Sequence, residues 1–325
     1  MQIANMYSFL KHDLEDIENR LTEVVAADHR ILHEASLQLL RAGGKRIRPV
    51  FVLLAAQFGN YRDNIEQVKS IAVALELIHM ASLVHDDVVD NAEIRRGKPT
   101  VKHLYGNKVA TYTGDYMLAT ALEMITTVPI PSIHRTLSKS LVKVVEGEII
   151  QIEDKYNINQ HLKHYLRRIK RKTALLIATS CKLGAISSRT TKKQACALFR
   201  YGYNVGMSFQ IIDDILDFTS TPEELGKPTG HDLQQGNITL PVLYAMKDTK
   251  FKNQLMETFQ HPSTITADQI ETLLSLLLKT NAIEQSYHVS SMYLQKALQS
   301  LKDFENKKAK NSLITIAHLL GKRRT

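Results

Sequence analysis

Three aspartates crowd into five positions in "SLVHDDVVDNAEIRRGKPT" (82–100): Asp86, Asp87 and Asp90. Two arginines, Arg95 and Arg96, follow directly. Neighbouring carboxylates repel, and each resists burial until something neutralises it. A hard cation would do so, and an oxygen-rich anion would suit both that cation and the arginines. The spacing recurs far along the chain, where "QIIDDILDF" supplies Asp213, Asp214 and Asp217. In each cluster the first and last carboxylates stand at i,i+4, one face of an α-helix. A single cluster reads as well as a solvated helix face; two on apolar helices do not. Such a pair suits Mg²⁺, which keeps several waters and is shared between carboxylates and substrate phosphates. Zinc does not fit, because His79 and His85 lack companions at ligand spacing.

Basic residues stand where a phosphate reader needs them. "GGKRIRP" (43–49) offers Lys45 and Arg48 beside a glycine pair, Lys172 opens a helical stretch, and Lys227 sits in "LGKPTGHD". Arginine brings forked hydrogen bonds to phosphate oxygens, and lysine a point charge. No Walker A or Rossmann glycine pattern accompanies them, which excludes the usual nucleotide-triphosphate and dinucleotide readers.

The elements that must position these residues are helical. The 325 residues are 44% hydrophobic, contain no Trp and are sparing in Gly and Pro. Helical periodicity runs through 68–92 (Ile71, Leu75, Ile78 and Ser82 on one face), 136–154, 172–186 and 197–218. No alternating strand pattern with hairpin signals stands out. One all-α domain, 1–325, is expected. The formal charge of +9 gathers at 43–49, 167–172 and the tail 321–325. No nucleic-acid-binding motif accompanies it, so the first two clusters are read as anion-holding and the tail as solvated. Cys181 and Cys196 lack metal-ligand spacing and read as reduced core residues of a cytoplasmic protein. The acidic, amphipathic first residues do not resemble a signal peptide, and no uninterrupted apolar run reaches membrane-span length.

In order and spacing, "GGKRIRP", "HMASLVHDDVVDNAEIRRGKPT", "GDYML", "GEIIQ", "KTALL", "QIIDDILDF" and "GKPTGHDLQQGNITLP" resemble the trans-type polyprenyl diphosphate synthases from about residue 40 to about 245. The resemblance implies an isoprenoid synthase fold, with helices around a central cavity and the aspartate motifs facing across it. It also implies Mg²⁺-dependent condensation of isopentenyl diphosphate onto an allylic, farnesyl-type diphosphate. Carried over, Asp86 and Asp90 would bind Mg²⁺ shared with the allylic diphosphate. Asp213 would hold another, helped by Asp217 or Asp232. Arg95, Lys172 and Lys227 would contact the allylic diphosphate, while Lys45, Arg48, His79 and Arg96 would hold isopentenyl diphosphate. Thr173 and Gln210 would lie along the developing cation. Without the motif, His79 would read as a core histidine. Some family members carry lysine where this chain has Asn237.

Short-chain members place a bulky aromatic four or five residues before the first aspartate. Here those positions are Ser82 and Ala81, with Ile78 behind them, so a medium- or long-chain product is expected. Within the family, the nearest resemblance is to the catalytic component II of two-component heptaprenyl diphosphate synthases, which serve menaquinone side-chain synthesis. It implies a small component I as partner, or else a homodimer, and peripheral contact with a membrane surface at product release. Hexaprenyl and octaprenyl or longer synthases are the neighbouring possibilities. A class I terpene cyclase would mix Asn, Ser/Thr and Glu into its second metal motif, against the intact "DDILD". A non-catalytic helical scaffold would have no chemical need for either cluster.

Overall fold

The computed structural model describes residues 8–221, 229–305 and 307–321. Lys227 and tail residues 322–325 lie outside the described residues. The chain divides into two compact units, the first made of Met1–Leu137, Ser180–Phe199 and Glu305–Leu313. Its principal elements are α1 (Lys11–Val24), α2 (Arg30–Arg41), α3 (Ile47–Ala56), α4 (Ile65–Val89), β1 (Ile94–Arg95), β2 (Lys98–Pro99) and α5 (Val101–Thr126).

α4 organises this unit. The periodicity predicts one apolar face, but every residue from Ile71 to Ile78 is buried. A helix apolar on all sides belongs in a core, and α4 packs along α5, α3 and α1. The stretch Arg62–Val89 is long and apolar enough to cross a membrane, yet 72% of its most apolar 18-residue stretch is buried within the protein. α4 ends at the first aspartate cluster, and the hairpin follows at once.

That antiparallel hairpin, with Ile94 opposite Pro99, corrects the expectation of no hairpin. Strands of two residues are too short to show alternation. Their signal was the connecting Arg96-Gly97, where both residues adopt positive φ (53° and 72°), as tight hairpin turns require. Cys181 is buried as expected, but Cys196 is exposed, which corrects its assignment to the core. In that helix Ala195 and Leu198 turn inward, while Lys193 and Cys196 share the solvent side.

The second unit comprises Ser138–Thr179, Arg200–Phe304 and Ile314–Thr325. It holds most of α6 (Pro131–Asp154), then α7 (Leu162–Ile169), a π-helical turn (Lys170–Ala174) and the start of α8 (Leu175–Ser187). Most of α9 (Lys192–Thr219) follows, with α10 (His231–Gln234), α11 (Leu240–Ala245), α12 (Thr249–Phe259), α13 (Ala267–Leu278) and α14 (Ala282–Ser300). The end of α15 (Lys308–Gly321) completes it. Met207, Ile211, Ile212 and Ile215 of α9 pack with Tyr165, Ile169 and Val289 in one apolar cluster. Phe218, Leu233 and Ile238 pack with α12 and α13 side chains in another. The C-terminal helices thus brace both the second aspartate helix and the loop behind it.

Gly206 of α9 lets the backbone of the π turn come close: a Cβ there would lie 2.5 Å from Ala174 Cα. A backbone atom cannot swing aside as a flexible side chain can. Gly206→Ala is expected to destabilise the protein by about 1–3 kcal/mol through overpacking, read as a lower urea midpoint with unchanged helix content. An unchanged midpoint would show that this contact is not tight.

Candidate active site

In the first unit, α4 carries Asp86 and Asp87, and Asp90 caps its end with an N–H bond to the Asp86 carbonyl at 2.8 Å. Successive helix residues point about 100° apart, so Asp86 and Asp87 cannot share a side. Asp86 is half-buried and Asp90 exposed, whereas Asp87 is 2% exposed. Asp87 Oδ1 accepts Arg95 Nε at 2.7 Å and lies 2.7 Å from Nη2 in the same ion pair. Burial pushes the Asp87 carboxyl above its ordinary range, and the Arg95 bonds oppose that. Arg95, expected at the allylic diphosphate, is therefore aimed by Asp87. A guanidinium has five donors, so this pairing leaves others to spend.

Arg96 folds back towards the glycine pair: a Cβ on Gly44 would meet its Nη1 at 2.6 Å. Arg48, in the first turn of α3, has a buried Nε without a hydrogen-bond partner. Burial pulls its guanidinium down to about 10, with Glu76 opposing and Arg96 adding to the effect. An orphaned buried donor among other guanidiniums is what an oxyanion satisfies. The His79 imidazole is held well below its ordinary range, first by burial and then by Arg48, Arg96, Arg95 and Arg46. Arg48, Arg96 and His79 thus come together, while Lys45 is exposed at the start of the same turn. Glu76, 2% exposed, is a buried counter-charge to these arginines that the sequence reading missed. A lone glutamate inside "IAVALELIHM" was its signal.

In the second unit the same aspartate spacing meets a different environment. Asp213 is exposed and Asp214 is 3% exposed. Asp214 accepts from the Tyr165 hydroxyl at 2.6 Å and from Gln210 Nε2 at 2.9 Å. Burial, then the nearby Asp232, pushes its carboxyl up to about 7. Gln210 Oε1 in turn accepts the Thr173 hydroxyl at 2.6 Å. This joins the π turn to the aspartate motif, and π turns recur at functional sites. Asp217, 1% exposed, accepts the backbone N–H of Asp232 at 3.0 Å and so anchors the loop that carries that residue. Asn237 closes the loop by donating its backbone N–H to the Asp232 carbonyl at 2.8 Å.

Lys172 donates to Gln151 Oε1 at 2.9 Å and lies 3.6 Å from Glu148. Its basic neighbours do not all hold anions, which narrows the expectation for 167–172. Arg168 is buried and bonds Gln160 and the Ile238 carbonyl at 2.9 and 2.5 Å, while Arg171 pairs with Glu146 at 3.1 Å. Among the three chain-length positions, Ile78 and Ala81 are buried and Ser82 is half-buried, with its hydroxyl bonded to the His79 carbonyl at 2.8 Å.

Among the described residues, no three carboxylate, His or Cys side chains converge into a protein-only metal cage. The accessible oxygen donors Asp86, Asp90 and Asp213 fit an ion that completes its shell with water and phosphate oxygens, while the inaccessible Asp217 anchors the Asp232 loop. An all-α protein with two such motifs and a buried guanidinium cluster defines a class of enzyme that handles prenyl diphosphates. Residues 29–277 match Polyprenyl synthetase, and the chain belongs to this family; it is a trans-prenyltransferase. It is 57% identical to heptaprenyl diphosphate synthase component 2 of Bacillus subtilis (strain 168), over 100% of this chain and 92% of that one. It is 51% identical to component 2 of Geobacillus stearothermophilus, over 99% of each chain. The heptaprenyl diphosphate synthase structure from Staphylococcus aureus is similar with TM-score 0.93 and 42% identity, covering 97% of this chain and 99% of that one. The polyprenyl synthase from Caulobacter crescentus CB15, complexed with calcium and isoprenyl diphosphate, has TM-score 0.93 and 28% identity over 99% and 98%.

His79 gives a pH prediction. Its folded pKa is depressed, so the stability it contributes is present above the unfolded value of about 6.5. That stability is lost as pH falls from there through the folded value. Nitrogen NMR should find the ring neutral at pH 6 in the ligand-free enzyme, and His79→Gln should flatten the acid limb of the stability profile. A protonated ring at pH 6 would contradict the enclosed, cationic setting.

Proposed function

We propose that this chain is the catalytic component of a two-component heptaprenyl diphosphate synthase in the cytoplasm, active as one 1–325 domain. Full-length identity of 57% and 51% to two component 2 proteins carries the reading. A family match drawing on both compact units supports the single domain. The two free cysteines suit a reducing compartment.

In this reading isopentenyl diphosphate rests on Lys45, Arg48, His79 and Arg96. A neutral His79 offers one N–H donor without adding repulsion to the arginines. Arg95, braced by Asp87, and Lys172 hold the allylic diphosphate, with Lys227 expected beside them. Mg²⁺ held by Asp86 and Asp90, and by Asp213 with Asp217 or Asp232, would neutralise the leaving diphosphate as its charge develops. Breaking the allylic C–O bond leaves a carbocation, and the Thr173–Gln210 pair presents oxygen dipoles along it. The isopentenyl double bond attacks that cation, and the departing diphosphate takes the closing proton. Apolar walls keep out water that would trap the cation.

Small or unbranched side chains at Ala81 and Ser82 leave room for a long product, with menaquinone side-chain synthesis as its use. The partner would be a small component I. Val142, Val145, Ile149 and Ile152 support an assembled enzyme: each is about half exposed or more, at the 3-4-3 spacing of a helix-packing seam. Release of so apolar a product to a membrane surface belongs to the same proposal.

Purified chain, alone and with the small component, should be compared by product chromatography. Heptaprenyl diphosphate only with the partner is expected; robust synthesis by the chain alone would reject the two-component reading. Ala81→Phe should shorten the product to about the farnesyl or geranylgeranyl range, because a phenyl ring blocks passage one helical turn from the reacting end. If the folded, active variant makes full-length product, Ala81 does not border the growing chain. Asp86→Ala and Asp213→Ala should each lower turnover by about two decades or more, the scale of lost charge stabilisation, with unchanged helix content. Normal turnover by either variant in chelator would defeat the metal assignment.

A further inference from the structure

The helix α1 lies ahead of residue 29, where the family match begins, yet it reaches the basic glycine motif. Glu18 of α1 accepts Arg46 Nε, and also Nη2 at 3.2 Å. The same guanidinium gives Nη1 to Glu76 of α4 at 3.4 Å and Nη2 to the Leu40 carbonyl at 3.2 Å. Its side chain is 12% exposed, and these partners are protein groups rather than an open face. Arg46 is therefore not placed as a diphosphate ligand. Its backbone, however, is left-handed (φ 46°, ψ 37°) and caps the start of α3. Non-glycine residues hold that conformation only where their surroundings over-determine it. Lys45 precedes this turn and Arg48 lies in the helical turn that follows, so the anchor on Arg46 sets their spacing. A separate set of ion pairs fixes α1 itself. Lys69 of α4 sits 3.0 and 3.1 Å from Asp13 and Asp16, and Arg20 pairs with Asp16 and Glu66.

We propose that Arg46, clamped between Glu18 and Glu76, is a positioning residue for the isopentenyl diphosphate pocket, and that α1 is thereby part of the site. The proposal rests on the reading of Lys45, Arg48, His79 and Arg96 as that pocket.

Steady-state kinetics of the assembled enzyme, with each substrate varied separately, test it. Arg46→Gly should raise the KM for isopentenyl diphosphate roughly tenfold, the scale of one charge-assisted contact, with kcat and the allylic KM within about twofold of wild type. Glu18→Gln should give a smaller selective rise, and Arg46→Lys should recover part of the loss. Glycine accepts the left-handed backbone freely, so wild-type kinetics in Arg46→Gly, or equal rises for both substrates, would overturn the proposal. Arg20→Ala loosens α1 without touching Arg46, and should lower the melting temperature while leaving both KM values unchanged. A selective isopentenyl effect as large there would assign the result to general loosening of α1 and equally reject a role for Arg46. Arg48→Ala separates the two layers. If it leaves the isopentenyl KM unchanged, the pocket reading fails; if it raises that KM and Arg46→Gly does not, only the positioning role fails.

Discussion

A carboxylate on a helix beside another carboxylate cannot face the same way, and if it turns inward it must find a donor. Both aspartate motifs are organised by this constraint. Asp87 turns into the core and takes Arg95; Asp214 turns into the core and takes Tyr165 and Gln210. Each buried middle aspartate thus converts repulsion into a tether on a neighbouring functional side chain. Asp87 aims an arginine of the hairpin, and Asp214, through Gln210, orients the Thr173 hydroxyl on the π turn.

The two motifs diverge at their last aspartate. Asp90 caps the end of α4 and is exposed, whereas Asp217 lies within α9 and is nearly inaccessible. Inside the helix, Asp217 captures the backbone of Asp232 and brings a fourth carboxylate into the neighbourhood of Asp214. The first cluster therefore offers outward oxygens along one helix face, while the second extends through a loop. That loop depends on apolar packing by Leu233 and Ile238 against C-terminal helices. The last part of the chain, which carries none of the motifs, is what steadies it.

The basic cluster in the first unit faces the opposite problem. Burial, and then the charge of neighbouring arginines, lowers the protonation of Arg48, Arg96 and His79, whereas Arg46 is raised by its pairing with Glu18 and Glu76. Glu76 opposes this for Arg48 and Arg96 from within α4, and together with Glu18 of α1 it pairs with Arg46. An orphaned Arg48 donor remains, a standing demand for an anion.

Local order in the chain determined much of this. Helical periodicity and the absence of breakers dictated an all-α protein. The i,i+4 spacing of Asp86 with Asp90 and of Asp213 with Asp217 announced oxygen-ligand chemistry, and the ordered motifs announced the family. Tertiary structure alone decided which aspartates face outward, because two clusters of identical spacing differ only in what packs around them. It alone turned the basic run 167–172 into one exposed pair, two structural arginines and Lys172, since pairing depends on Asp154, Gln160 and Glu146 from elsewhere in the chain. It alone exposed Cys196, through the rotation of its helix against its neighbours. The role of Glu76 has the same origin: a glutamate within an apolar run is an anomaly in sequence, and becomes a counter-ion only when arginines from the glycine motif and the hairpin fold around it.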